Sequence, residues 1–511
     1  MTADPSAPEP PEVEPHRDPE PDEARLSRRQ LMGGAAATGA ALALPGAAEA
    51  KARAKKRGPT RRSADVVVVG AGLAGLVAAR ALRRAGKRVI VMEARGRAGG
   101  RCYSRELPGT GDVANLGATF VGPTQHRILG LAHELGIGPF PTYNTGRNVL
   151  FFNGRRDEYT GAIPPLSPVA LIEVQKAISQ LDAMARSVPL DAPWRAARAA
   201  EWDSQTFDTW KRSNIISSDG RKLLDLGSQA ILSIEPRDVS LLFILFYIHS
   251  AGTLGELINT AGGAQETRIE GGTQKIADEL AKRLNRKRVL LKTPVRRIVR
   301  RKRGGVDVVS DKVTVRAKRV IVAVPPTIAG RIRYEPGLPG IRDQLTQRVP
   351  MGSVTKTFAV YDTAFWREDG LTGQATSDTG TVRVTFDGSP RSGRPGVLLG
   401  FVDADDARAL NQLSHRDRAS AEVESYVRYF GPKAAEANML FDYPWDNDRL
   451  AGGAPVGFTP PGVLLQFGPA LRDPVGPIHW SGTETATVWN GYMDGAVQSG
   501  QRVAREVLAE L

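Results

Sequence analysis

The chain has 511 residues, 41% of them hydrophobic, with 69 Lys and Arg against 55 Asp and Glu, a formal net charge of +14. That length supports more than one domain around a sizeable core. The single cysteine, Cys102, excludes an intramolecular disulfide and a cysteine-held cluster, and no metal-ligand spacing or Ser/His/Asp set stands out elsewhere.

Residues 1–26 are acidic and Pro-rich and read as an unstructured extension. Next, SRRQLMGGAAATGAALALPGAAEA sets Ser27, Arg28 and Arg29 ahead of a weakly apolar Ala/Gly-rich run that closes on Ala48, Glu49 and Ala50. This is the pattern of a twin-arginine signal over 27–50, which implies the twin-arginine export machinery as a partner. The expected location is extracellular or in the cell envelope, as a soluble protein. The run is too weakly apolar for a membrane anchor. Residues 51–62, KARAKKRGPTRR, are expected to be a solvated, unstructured linker; with no aromatic residue interleaved there is no platform for bases, so no nucleic-acid partner is expected.

At Val66 the chain changes character. Val66 to Val69 is β-branched throughout, and Gly70, Gly72 and Gly75 permit a tight turn whose backbone can approach a pyrophosphate. A helix from Leu73 presents its positive N-terminus to the phosphates, ends near Gly86, and leads to a strand from Arg88 to Val91. Glu93 then stands where an acid binds ribose hydroxyls. This βαβ unit fits either NAD or FAD. The sequel Arg95 to Arg101 adds a second glycine turn and a cation, Arg101, beside a diphosphate.

Further helices are expected from about Gln125 to Leu135, Pro168 to Ala185, Ser217 to Leu232 and Val239 to Ala251. The last is apolar on all sides yet too short to span a bilayer, so it reads as buried. From Glu266 a helix over Gln274–Leu284 precedes short β runs at Val289–Leu291, Val295–Val299, Val306–Val309 and Val320–Val324, the last ended by Pro325 and Pro326. Strands and turns dominate about Pro350 to Asn447, with a helix over Asp417–Tyr429. A long helix begins near Asp494.

Seven ordered stretches carry a family resemblance: GAGLAG, EARGRAGGR, LGATFVGPTQHRILGLAHELGI, GGAQETRIEGGTQKIADELA, VPMGSVTKTFAVYDTAFW, LLGFVDADDARAL and SGTETATVWNGYMDGAV. The chain from about Ala64 onward resembles the flavin-containing monoamine oxidases. The resemblance implies an α/β fold in which a Rossmann-like FAD-binding domain (63–142, 266–345, 451–511) is interleaved with an α+β substrate domain (143–265, 346–450). It implies an enzyme that takes a small amine and O2 to aldehyde, ammonia and hydrogen peroxide.

Carried over residue by residue, the catalytic candidates are Lys356 and Tyr492. The FAD contacts are Gly70, Gly72, Ala74, Gly75, Glu93, Ala94, Arg101, Val295, Thr483, Glu484 and Met493, with Thr483 and Glu484 competing for the ribityl chain. Substrate-lining candidates are Gln265, Leu257, Ile258, Gly400, Phe401 and Trp489. Two departures mark this chain. Ala454 stands where mitochondrial members attach FAD through a cysteine, so the cofactor is expected to be non-covalent. Pro455 replaces the second ring of an aromatic cage, leaving Phe458 or Trp489 as substitutes.

Rival activities need other residues. An L-amino acid oxidase needs an arginine for the substrate carboxylate, with Arg383 or Arg147 as candidates. A polyamine oxidase needs a deep acid, with Asp387 or Glu256 available. A non-catalytic flavin-binding protein is a third reading, and a homodimer is compatible with the sequence.

Overall fold

The computed structural model describes residues 59–161, 164–285 and 287–511, so the acidic extension, the twin-arginine pattern and most of the basic linker lie outside the described residues. Its centre is a five-stranded parallel sheet in the order Val289–Leu290, Val89–Met92, Val66–Val69, Arg319–Val322, Ile478–Trp480. All four residues of Val66–Val69 are buried, as expected of a parallel strand covered on both faces. The helix Leu73–Arg84 packs on this sheet and against the C-terminal helix Met493–Ala509. Their approach is close because Gly500 stands at the crossing, where a Cβ would lie 2.4 Å from the carbonyl oxygen of Ala74.

A second five-stranded sheet runs Thr60–Ser63, Val313–Ala317, Val306–Ser310, Val295–Arg300, Arg333–Glu335 and packs on the parallel sheet through Ile298, Val306, Val308, Val313 and Val315. Its edge strand corrects one expectation. The end of the basic run is not a free linker, because Thr60 to Ser63 pair in parallel with Val313 to Arg316. Backbone pairing asks nothing of side-chain polarity, which is why a string of basic residues concealed it.

The third large element is a seven-stranded sheet in the order Met439–Pro444, Val354–Tyr361, Gly396–Asp403, Val384–Asp387, Leu371–Ser377, Arg147–Phe152, Arg155–Tyr159. Its last two strands form a hairpin between the helices expected at 125–135 and 168–185, where no strand was expected. The cue was present in the sequence: Asn153 and Gly154, both at positive φ (52° and 77°), make the Asn-Gly turn that closes such hairpins. Helices Pro168–Arg186, Ser218–Leu232 and Leu241–Ala251 cover this side. The last is buried at all but one of its eleven positions and starts where the Ser240 hydroxyl accepts from the N–H of Phe243. Among the described residues no helix is long and apolar enough to cross a membrane.

Candidate active site

One cavity of about 1410 Å³ extends from the glycine turn to the helices beside the seven-stranded sheet. At its first end the walls are backbone. Gly70 has φ +100°, and a Cβ there would lie 2.8 Å from the Ala323 carbonyl oxygen; at Gly75 it would lie 2.1 Å from the carbonyl oxygen of Gly70. Gly72 differs, since a Cβ there meets only the Gly99 oxygen, at 3.9 Å. It faces open cavity. Gly72 is also the N-cap of Leu73–Arg84 and supplies no side-chain acceptor, so the first N–H groups of that helix remain for an anion.

Charged groups brace this end. Glu93 accepts the N–H of Ala71 and of Arg95, each at 2.7 Å, and so ties the first glycine turn to the second. Arg101 donates to both oxygens of Glu484 (2.6 and 3.2 Å) and to the Pro455 carbonyl (2.7 Å). A bidentate guanidinium–carboxylate pair is directional as well as strong. Glu484 therefore holds Arg101 and does not line the cavity, whereas Thr483 does, its hydroxyl donating to the carbonyl of Tyr492. Gly70, Gly72, Ala74, Glu93, Ala94, Arg101, Val295 and Met493 also line it. Gly75 lies beneath the turn.

Midway, Lys356 projects from the strand Val354–Tyr361. Its Nζ donates to the carbonyls of Asn115 (2.7 Å) and Gly117 (2.8 Å) and to the Thr119 hydroxyl (2.5 Å). Burial, with a smaller contribution from Arg268, pushes its pKa well below the usual lysine range. The 115–119 loop reaches it because Gly117 has no Cβ; one would lie 1.9 Å from the Arg101 carbonyl oxygen. Tyr492 is the N-cap of the C-terminal helix. Its ring is fixed edge-on by Trp489, centroids 4.8 Å apart, and flanked by Tyr247 at 6.1 Å. Burial raises the Tyr492 hydroxyl above the usual phenol range.

The far end is apolar. Leu257, Ile258, Gln265 and Phe401 line it, together with Leu171, Leu224, Ile231 and Ile244. Two expected lining residues face elsewhere. Gly400 points the other way from Phe401, as strand alternation demands, and a Cβ on it would lie 2.6 Å from the Tyr426 hydroxyl. Trp489 is 2% exposed and acts only as the support under Tyr492. Phe458, offered as a replacement cage ring, is likewise core.

Among the cavity aromatics that went unrecognised in the sequence are Phe120, Phe386 and Tyr247. Phe120, Phe386 and Phe401 touch in series, with centroids 4.9 and 6.0 Å apart, so Phe120 and Phe386 extend a wall of which only Phe401 was expected. The third is Tyr247, the one phenol in a mainly apolar helix, a signal the sequence did contain. The four charged candidates of the rival activities are all engaged outside the cavity lining. Arg383 pairs with Asp406, Arg147 with Glu158, Asp387 with Arg367 and Trp366, and Glu256 accepts from Thr253.

The residues present fit FAD: an uncapped helix N-terminus and open Gly72 suit a diphosphate, Glu93 a ribose, and a second uncapped helix N-terminus, at Tyr492, a flavin ring. A model of the family described as flavin containing amine oxidoreductase matches residues 73–508. A putative flavin-containing monoamine oxidase of Mycobacterium tuberculosis is 44% identical over 447 residues, covering 88% of this chain and 97% of its own. Human flavin-containing amine oxidase B is 35% identical over 448 residues, 87% of this chain and 86% of its own. Among solved structures, putrescine oxidase bound to putrescine aligns with TM-score 0.85 at 34% identity over 88% of this chain and 100% of its own. Cyclohexylamine oxidase from Brevibacterium oxydans gives 0.84 at 33% over 88% and 99%.

Proposed function

We propose that this chain, which belongs to the flavin-containing amine oxidoreductase family and is an FAD-dependent amine oxidase, acts on primary monoamines that carry an apolar substituent. The products are the aldehyde, ammonia and hydrogen peroxide. The observation that carries this reading is the make-up of the far end of the cavity: Lys176, exposed on the helix Pro168–Arg186, is the one charged side chain among the far-end residues that line it. Among the described residues no lining carboxylate there is available for a second ammonium, and no lining arginine for a carboxylate. The similar putrescine oxidase takes a diamine; here Asp387 and Glu256 are bonded elsewhere.

FAD supplies the acceptor for the hydride equivalent and the chemistry with O2. The chain does the rest. Glycine-turn N–H groups and Arg101 hold the diphosphate region, and Ala454, which lines the cavity, brings no nucleophile, which supports non-covalent binding. Cys102 also lines it, but burial lifts its thiol to about 12, so it stays protonated. The apolar walls disfavour an ammonium and so promote the neutral amine, the form with a lone pair to assist C–H cleavage. Gln265 lines the cavity and donates to the Leu257 carbonyl, which fixes its amide beside the substrate space. The Tyr492 ring, locked by Trp489, restricts the amine to one approach. Lys356 lines the cavity with an amino group whose protonated form, disfavoured by burial, is stabilised where negative charge develops as O2 is reduced.

A peroxide assay over benzylamine, phenethylamine, putrescine and L-amino acids tests the reading. Turnover of the arylalkylamines at least tenfold above the others is expected; preference for putrescine or an amino acid would refute it. Export is part of the proposal and is supported by Ser27 to Ala50 alone; cell fractionation with Arg28→Lys/Arg29→Lys, expected to retain the protein in the cytoplasm, checks it.

A further inference from the structure

Between Lys282 and Arg319 the chain carries sixteen lysines and arginines against two acids, a surplus equal to the +14 of all 511 residues. The remainder is formally neutral. This basic stretch contains three strands of the second five-stranded sheet. Ile298, Val306, Val308, Val313, Val315 and Ala317 point into the core, so their alternate neighbours, among them Arg297, Asp307, Thr314 and Arg316, face outward. Register adds Arg333 beside Arg297, and Arg61 beside Thr314.

Carboxylates on this face are too few for the guanidinium groups. Asp307 lies 3.3 Å from Arg316 and 3.8 Å from Arg301, while Glu335 is shared by Arg297 and Arg333. Exposed Lys292, Lys302, Arg303, Lys312 and Lys318 have no carboxylate within 4 Å among the described residues. The turn holding Lys302 and Arg303 lies beside Lys318, since a Cβ on Gly305 would be 2.5 Å from the Ala317 oxygen and 3.6 Å from the Lys318 Cα.

We propose that this outward sheet face and its turns dock on an anionic phospholipid surface. The charge is spread over a strand face and turn tips on long flexible stems, which suits a plane of diffuse negative charge. No Phe, Tyr or Trp occurs between Lys282 and Arg319, so bases of a nucleic acid would find nothing to stack on. Leu291, 40% exposed beside Lys292, supplies an apolar tip for the headgroup boundary.

The test uses the full chain loaded with FAD and vesicles of phosphatidylcholine, alone or with about one-third phosphatidylglycerol. Co-sedimentation with the anionic vesicles only, abolished near ~0.5 M salt, is expected. The variant Lys302→Glu/Arg303→Glu/Lys318→Glu should bind at least about tenfold more weakly while keeping its flavin absorbance and amine turnover, since none of the three lines the cavity. Equal binding to both vesicles, an unweakened variant, or displacement of the vesicles by a lower concentration of duplex DNA would overturn the proposal. So would loss of binding in Lys51→Gln/Lys55→Gln/Lys56→Gln, which would assign the effect to the segment before the sheet.

Discussion

At the glycine-turn end of the cavity the backbone forms the walls, and a single added methyl at Gly70 or Gly75 meets another backbone oxygen within 3 Å. At the far end the walls are side chains of Leu171, Leu224, Ile231, Ile244 and Ile258, carried on four helices and exchangeable for other apolar groups of similar volume. A ligand gripped by backbone N–H groups restricts residue type, whereas a ligand enclosed by hydrocarbon restricts only size and shape. The first end should therefore fail abruptly on substitution and the second should change gradually.

The largest effect is expected at Gly75→Ala. With the new Cβ 2.1 Å from the Gly70 carbonyl oxygen, the turn has to open, and the ratio of flavin to protein absorbance should fall below about a tenth of the wild-type value. A variant that keeps its full flavin content would break the comparison at its base. Next comes Lys356→Met, which removes the amino group and leaves three acceptors unmet. Reoxidation by O2, followed by stopped flow, should slow roughly a hundredfold, while anaerobic reduction by amine should change much less. Equal slowing of both half-reactions would assign Lys356 to holding the 115–119 loop.

Tyr492 lies where the two ends meet. Tyr492→Leu should lower kcat/KM about tenfold, and Tyr492→Phe should stay within about threefold, because the ring and its edge-on contact with Trp489 do the positioning. A Phe variant as poor as Leu would move the role to the hydroxyl. At the far end, Ile258→Ala trims a residue that is 41% exposed and lines the cavity, so KM for an arylalkylamine should rise about fivefold with kcat nearly unchanged.

The same contrast explains what could be read in advance. Val66 to Glu93 was legible because strand, glycine turn, helix and acid follow one another in sequence and each has its own residue requirement. The helix Gln274–Leu284 has its expected bounds and Met493–Ala509 starts one residue before the expected Asp494 for a similar reason, both having clear apolar periodicity. Phe120 and Phe386 were not legible, since they stand far apart in sequence and meet only when the strand holding Phe386 crosses the 115–121 loop. The choice between Thr483 and Glu484 stayed open because the motif fixes the presence of Glu484 but not which neighbour its carboxylate faces; the partner, Arg101, is 383 positions away. Gly400 and Trp489 failed for a third reason. Adjacent positions in a strand point to opposite faces, which turns Gly400 away, and a motif match does not say which way a loop residue such as Trp489 packs.

The smallest expected effect concerns the substrate sheet and the pH response of the fold. Asp403 ends the strand Gly396–Asp403, accepts the Ser233 hydroxyl at 2.7 Å, and burial raises its carboxyl from 3.8 to about 7. In the unfolded chain it would ionise near its ordinary value, so between roughly pH 4 and pH 7 the unfolded state releases a proton that the folded state keeps. Stability contributed by this group is thus full below the lower value, declines as pH rises through the window, and stays reduced above it. Asp403→Asn preserves the acceptor for Ser233 and carries no titrating proton. At pH 8 the variant should melt about a degree or two higher than the parent, with the gain vanishing near pH 4. A gain that persisted at low pH would mean the amide stabilises by packing, and the charge argument for this corner of the sheet would fail.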